Sequence, residues 1–267
     1  MRPIVNLGLL FTELPWSERF TAAAAAGFGH VEFPWPPLPP GDVVRLVRAA
    51  GVRVALLNMD AGDLAAGHRG YGNDPRLVER WRDRLRQALE LARELDCPLV
   101  NVLAGRLLPE IGRADQLRCL TRNLRWAADI AAREGRMLVV EPINDRDIPG
   151  YLLPSVADVL ALIDELEHDA VGLQLDAYHV AAMGDDLSRI VAAADGRITH
   201  VQIADFPGRH EPGSGEMDVD VLLAALAATG YDGGLALEYV PTLPSAASLR
   251  AVTGAYPALH PAKERTR

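Results

Sequence analysis

Four oxygen-bearing side chains stand at or near the ends of four short apolar runs. Glu141 follows the run in RMLVVEPIN, Asp176 the run in GLQLDAYH, Gln202 lies in ITHVQIAD, and Glu238 follows the run in GLALEYVP. They are 35, 26 and 36 residues apart, which is the length that one strand, one helix and two loops consume in an α/β unit. If the strands lie parallel in one sheet, all four groups meet at one face. Three carboxylates and an amide oxygen at close range repel one another, and a hard divalent cation resolves that repulsion. All-oxygen donors favour one Mg²⁺ or Mn²⁺ ion over zinc, and four protein ligands leave room for substrate oxygens. An ion that holds a hydroxyl and an adjacent carbonyl acidifies the neighbouring C–H; one carboxylate then removes that proton and another returns it. The chemistry is an aldose–ketose type isomerisation through an enediolate.

The elements that must position these groups follow from the apolar periodicity. Strand patterns read over Ile4–Leu10, His30–Phe33, Arg53–Asn58, Leu99–Leu103, Met137–Val140, Val171–Leu175, Ile198–Ile203 and Leu235–Leu237. Helix patterns read over Trp16–Ala26, Asp42–Ala50, Pro75–Leu95, Ala114–Arg133, Ser155–Glu167, Leu187–Ala194 and Val219–Thr229, with Ser155 as a cap. The Gly-rich stretch Asp60–Asn73 is too long for a mere connector and reads as a binding loop or lid. Strand–helix alternation of this kind predicts an α/β protein, a single (β/α)₈ TIM barrel over about residues 4–241, with an irregular or helical tail over 242–267. The 267 residues make one domain on this reading. An open doubly wound sheet is the alternative, but no Gly-rich phosphate loop follows the first strand. In a barrel, the C-terminal strand ends carry the active site, which is where the four oxygen donors fall.

Charge narrows the partners. A net charge of −9 argues against nucleic acid and against an anionic membrane surface, while leaving room for a small anionic substrate held by local cations. Cys97 and Cys119 suit reduced core thiols, and no apolar run approaches the ~18 residues of a membrane span. A cytoplasmic setting is the expectation, and assembly into a homo-oligomer stays open.

The stretches NLGLLFTELPWSERFTAAAAAGFGHVEF, QLDAYH, HVQIADFPGRHEP and GYDGGLALEYVP together resemble the hydroxypyruvate isomerase family of the xylose isomerase-like TIM barrels. The resemblance runs from about Asn6 to Pro241. It implies one divalent metal on Glu141, Asp176, Gln202 and Glu238, with Glu141 and Glu238 as proton donor and acceptor. It also implies interconversion of hydroxypyruvate and 2-hydroxy-3-oxopropanoate (tartronate semialdehyde). Close relatives act on 2-oxotetronates, and ketose 3-epimerases keep a similar quartet but usually have His where Gln202 stands. The chain departs from the family at Val240, where Lys is usual, and at Gly67–Gly70, where members carry Gly-Glu before an aromatic or basic residue.

Other residues have two readings each. His179 either contacts substrate or a metal ligand, or is a packed polar side chain. Arg209 either grips a substrate carboxylate or forms a surface ion pair. The His68–Arg69 pair is a second source of positive charge for an anionic substrate, and Glu32, ending the second strand, is expected to support the ligands from behind.

Overall fold

The computed structural model describes residues 1–194 and 196–261. Eight parallel strands close into a barrel in chain order: β1 (Arg2–Asn6), β2 (His30–Phe33), β3 (Arg53–Asn58), β4 (Leu99–Asn101), β5 (Met137–Val140), β6 (Val171–Asp176), β7 (Ile198–Ile203) and β8 (Gly234–Leu237). The last strand pairs with the first, so no edge is left open. Each strand is buried on both faces, and each reads as a nearly continuous apolar run for that reason.

Register sets the height of the site. Asp176 pairs with Gln202 and Gln202 with Ala236, so Glu238 lies two residues further toward the mouth. Asn101 pairs with Val139, and Glu141 follows β5 directly. A slip of one residue would turn each of these side chains to the other face of the sheet.

Among the described residues the outer layer is α1 (Trp16–Ala25), α2 (Pro40–Ala50), α3 (Val78–Glu94), α4 (Arg113–Arg133), α5 (Val156–Leu166), α6 (Ala177–Met183), α7 (Leu187–Ala194), α8 (Val219–Ala228) and α9 (Ser245–Ala255). The stripe of α3 that holds Trp81, Leu85, Ala88, Leu89 and Ala92 is buried against the barrel, as a 3.6-residue period requires.

The differences from expectation have local causes. The α3 helix starts at Val78 rather than Pro75, because the Asp74 carboxylate caps the preceding turn by accepting from Arg76 N. The unexpected α6 follows β6 without a loop: Asp176 Oδ1 accepts from Tyr178 N and caps it, and one helix of seven residues is too short to show a period. The tail expected at 242–267 contains α9; residues 262–267 lie outside the described part. Residues 60–73 form no helix or strand. Both cysteines are free and buried, and no helix among the described residues is long and apolar enough to cross a membrane.

Ser155 caps α5 as its sequence suggests, with Oγ accepting from Asp158 N at 3.2 Å. Ser155→Ala should lower the unfolding free energy by about 1 kcal/mol. Urea unfolding with an unchanged slope checks this, and an unchanged midpoint would show that the cap contributes nothing.

Candidate active site

Glu141, Asp176 and His179 are all buried at the C-terminal mouth of the barrel, and each offers an atom within 4.8 Å of the others. Glu238 joins them through Arg209, whose Nη2 donates to Asp176 Oδ2 at 2.8 Å and to Glu238 Oε2 at 2.7 Å. The guanidinium also lies over the Tyr178 ring. Arg209 reaches this place from a backbone with φ +57°, a left-handed conformation that costs a non-glycine residue about 1–2 kcal/mol. The loop after β7 imposes it. Buried Asp205 accepts from Phe206 N, Gly213 N and Met217 N, and a Cβ on Gly215 would stand 2.4 Å from Phe206 O.

An asparagine on the neighbouring strand holds one oxygen of each glutamate. Asn101 Nδ2 donates to Glu141 Oε2 at 2.8 Å, and Asn6 Nδ2 donates to Glu238 Oε1 at 2.8 Å. Glu141 Oε1 accepts no hydrogen bond among the described residues; it faces His179 Nε2 at 3.7 Å. Below this layer, Glu32 is a fully buried hub. Its Oε1 accepts from Asn6 Nδ2 and Gln202 Nε2, and its Oε2 meets His200 Nε2. With its nitrogen fixed on Glu32, Gln202 turns Oε1 toward Gln174 Nε2, 2.6 Å away.

The role of His179 follows from a chain of amide orientations. Asn144 Oδ1 accepts from Asp147 N, so its Nδ2 is the atom 2.7 Å from His179 Nδ1. Nδ1 is therefore the acceptor, and the ring hydrogen sits on Nε2, aimed at Asp176 Oδ2 (3.5 Å) and Glu141 Oε1. Burial pushes this imidazole down to about 4, so it is neutral at physiological pH. His179 thus presents an N–H rather than a lone pair to the space beside Glu141 and Asp176, and in this tautomer Nε2 is no metal ligand.

Burial raises the Glu141 carboxyl to about 8, and the charge on Asp176 adds to the effect. Burial likewise lifts Glu238 well above the usual carboxylate range, against the pull of Arg209. For Arg209 itself burial works against the charge, but Glu238 and Asp176 outweigh it and the net direction is up.

A sequence profile of the xylose isomerase-like TIM barrel matches residues 20–253. The chain belongs to that family. It is 40% identical to a putative hydroxypyruvate isomerase of Streptomyces coelicolor, over 89% of this chain and 90% of that one. It is 35% identical to a 2-oxo-tetronate isomerase of Pectobacterium atrosepticum, over 88% and 90%. Among solved structures, an AP endonuclease, family 2, from Brucella melitensis superposes with a TM-score of 0.91 at 35% identity, covering 96% of this chain and 99% of that one. This member of the family is an isomerase.

Xylose isomerase-like barrels often hold metals, and the donor set here suits a hard cation. Buried Glu141 and Asp176 and partly exposed Glu238 converge as oxygen donors, and the charge that now stands between two of them is a guanidinium.

Other residues named from the sequence fall further out. His68 is exposed, and its Nδ1 accepts from Asp63 N within its own loop. Arg69 is half-buried in the same loop. The Val240 side chain is 44% exposed, while its backbone is tied to Arg209 O and His210 Nδ1. Sequence reading missed Asn6, Asn101, Asn144 and Gln174. The first two carry the same signal as the acids, a polar residue ending an apolar strand.

Nitrogen-15 NMR of the imidazoles should show His179 Nδ1 unprotonated and Nε2 protonated at neutral pH. Asn144→Leu should release that preference. A wild-type ring protonated at Nδ1 would reverse the donor assignment.

Proposed function

We propose that this chain is a metal-dependent ketol isomerase of a short hydroxy-oxo acid, with hydroxypyruvate and 2-hydroxy-3-oxopropanoate (tartronate semialdehyde) as the pair it interconverts. The observation that carries the reading is the convergence of Glu141, Asp176 and Glu238 at one barrel mouth, in a chain whose relatives at 35–40% identity are named as isomerases of such acids. Glu141, Asp176, Gln202 and Glu238 would hold one Mg²⁺ or Mn²⁺. The ion would supply Lewis acidity at the substrate carbonyl and hydroxyl.

The chain's own residues supply the proton transfers. Glu141 takes the proton with Oε1, the oxygen that accepts no hydrogen bond, while Asn101 keeps Oε2 in place. Glu238, its carboxyl oriented by Asn6 at one oxygen and Arg209 at the other, returns a proton to the adjacent carbon, and the substrate's hydroxyl proton passes to the former carbonyl oxygen, so that hydroxyl and carbonyl exchange places. Neutral His179 presents an N–H to the substrate oxygen that gathers charge between Glu141 and Asp176. Glu32 keeps Gln202 from rotating. The relative named for 2-oxo-tetronate supports a second reading, in which the same steps act on an acid one carbon longer.

A panel of hydroxypyruvate, 2-oxotetronates and ketoses, assayed with added Mg²⁺ or Mn²⁺ and after chelation, tests the reading. Conversion of a hydroxy-oxo acid that stops on chelation is the expected result; turnover of neutral ketoses alone would overturn the acid assignment. Glu141→Gln and Glu238→Gln should each lower kcat by about 10²-fold or more. Solvent deuterium exchange into recovered substrate separates the two: Glu141→Gln loses exchange and isomerisation, while Glu238→Gln keeps exchange. Wild-type rates in both variants would end the two-glutamate mechanism.

A further inference from the structure

The loops after β3 and β4 and the start of α3 enclose a cavity of about 240 Å³ whose lining includes His68, Arg69, Tyr71, Asp74, Arg80 and Arg106; its one carboxylate, Asp74, is taken by Arg76. Buried amides lock the two loops together. Asn73 Nδ2 donates to Arg106 O and to Gln116 Oε1, both at 2.8 Å, and Gln116 Nε2 donates to Leu108 O at 3.0 Å. Gly105, at φ +114°, lets Asn73 approach so closely that a Cβ there would stand 2.0 Å from Asn73 Oδ1.

Two half-buried guanidinium groups of this cavity have only backbone carbonyls for partners. Arg69 Nη1 donates to Leu64 O at 2.9 Å and to His68 O at 2.7 Å; Arg106 donates to Pro149 O and Gly67 O. Among the described residues, neither lies within ion-pair distance of a carboxylate. Elsewhere the chain pairs such groups readily: Arg76 with Asp74 and Glu110, Arg209 with Asp176 and Glu238. Burial, and then the like charge of Arg106, make Arg69 a weaker base than usual. Two adjacent cations left without an acid in a chain of net charge −9 call for an anion.

We propose that Arg69 and Arg106 form a seat for a small carboxylate anion beside the active site. Planar guanidinium forks match a carboxylate, and their remaining N–H groups supply the donors. The seat adjoins the catalytic centre through buried Tyr151. Its backbone pairs with that of Arg106, and its phenol lies within electrostatic reach of both Glu141 and Arg69. The carboxylate has two possible sources, the acid end of a substrate held at Glu141 and Asp176, or a free organic acid. Arg209 is already committed to two carboxylates and Val240 carries no charge, whereas Arg69 and Arg106 are open to an acid group. Assigning the seat to substrate rests on the isomerase reading; the seat itself does not.

Calorimetric titration of the full chain with D-glycerate, and with uncharged glycerol beside it, tests the seat in the presence of Mg²⁺ and again after chelation. Arg69→Gln and Arg106→Gln should each weaken glycerate binding roughly tenfold without changing the response to glycerol. Arg189→Gln, on α7 and away from the cavity, should change neither, and Arg106→Lys should keep part of the binding because it keeps the charge. Circular dichroism verifies folding. If Arg106→Gln does not fold, Arg69→Gln and Arg106→Lys carry the test. Glycerate binding that survives chelation and stays sensitive to both arginines identifies a free acid anion; binding that requires Mg²⁺ identifies the substrate's carboxylate. The seat is overturned if folded Gln variants bind glycerate as the wild type does, or if the wild type binds glycerate no better than glycerol. No turnover is measured, so a substrate panel without conversion would refute the isomerase reading and leave this result readable.

Discussion

Repulsion among buried carboxylates is the constraint that the rest of the site answers. At about 4 Å and an effective dielectric of ~20, two like charges oppose each other by about 4 kcal/mol, and Glu141, Asp176 and Glu238 all face the same small space. One amide donor on a carboxylate contributes about 1.5–3 kcal/mol, so Asn6 and Asn101 orient the glutamates without neutralising them. A positive charge is required, and Arg209 supplies one by bridging Asp176 and Glu238. The strain of its left-handed backbone, about 1–2 kcal/mol, is smaller than the repulsion it relieves. The buried Asp205 turn that imposes this backbone is therefore part of the site's electrostatics as well as of its loop.

The strands and the acids were legible in the sequence because both rest on local rules. An apolar run buried on both faces looks the same wherever it occurs, and an oxygen donor at or near the end of such a run in four successive units, three of them carboxylates, is hard to attribute to anything but a shared face. Orientation was not legible. Gln202 was recognisable by type, but the direction of its amide depends on Glu32 and Gln174, far away in sequence. The hydrogen on His179 Nε2 is fixed through Asn144 by Asp147 N, a relay of two hydrogen bonds that no spacing encodes. Asn6 and Asn101 carried the strand-end signal, yet an amide at a strand end is equally compatible with capping a loop, and only the pairing of β1 with β8 and of β4 with β5 shows what each one holds.

The same contrast separates what in this barrel is free to vary from what is not. The residues that touch Glu141, Asp176 and Glu238 lie on a strand, in the α6 helix that follows β6 directly, or in the β7 loop that Asp205 anchors, and moving those on strands shifts a register on which the neighbouring strand also depends. Position 240 is different. Its backbone carries the contacts to Arg209 and His210, while its side chain makes none of them, so Val in place of the Lys usual in the family it resembles leaves those contacts in place. The loops after β3 and β4 are held to each other by Asn73 and Gln116 and can carry their own charges without disturbing a strand. On the proposed reading, proton transfer falls to groups that the sheet fixes, and recognition of the particular acid to side chains on loops that the sheet holds but does not shape.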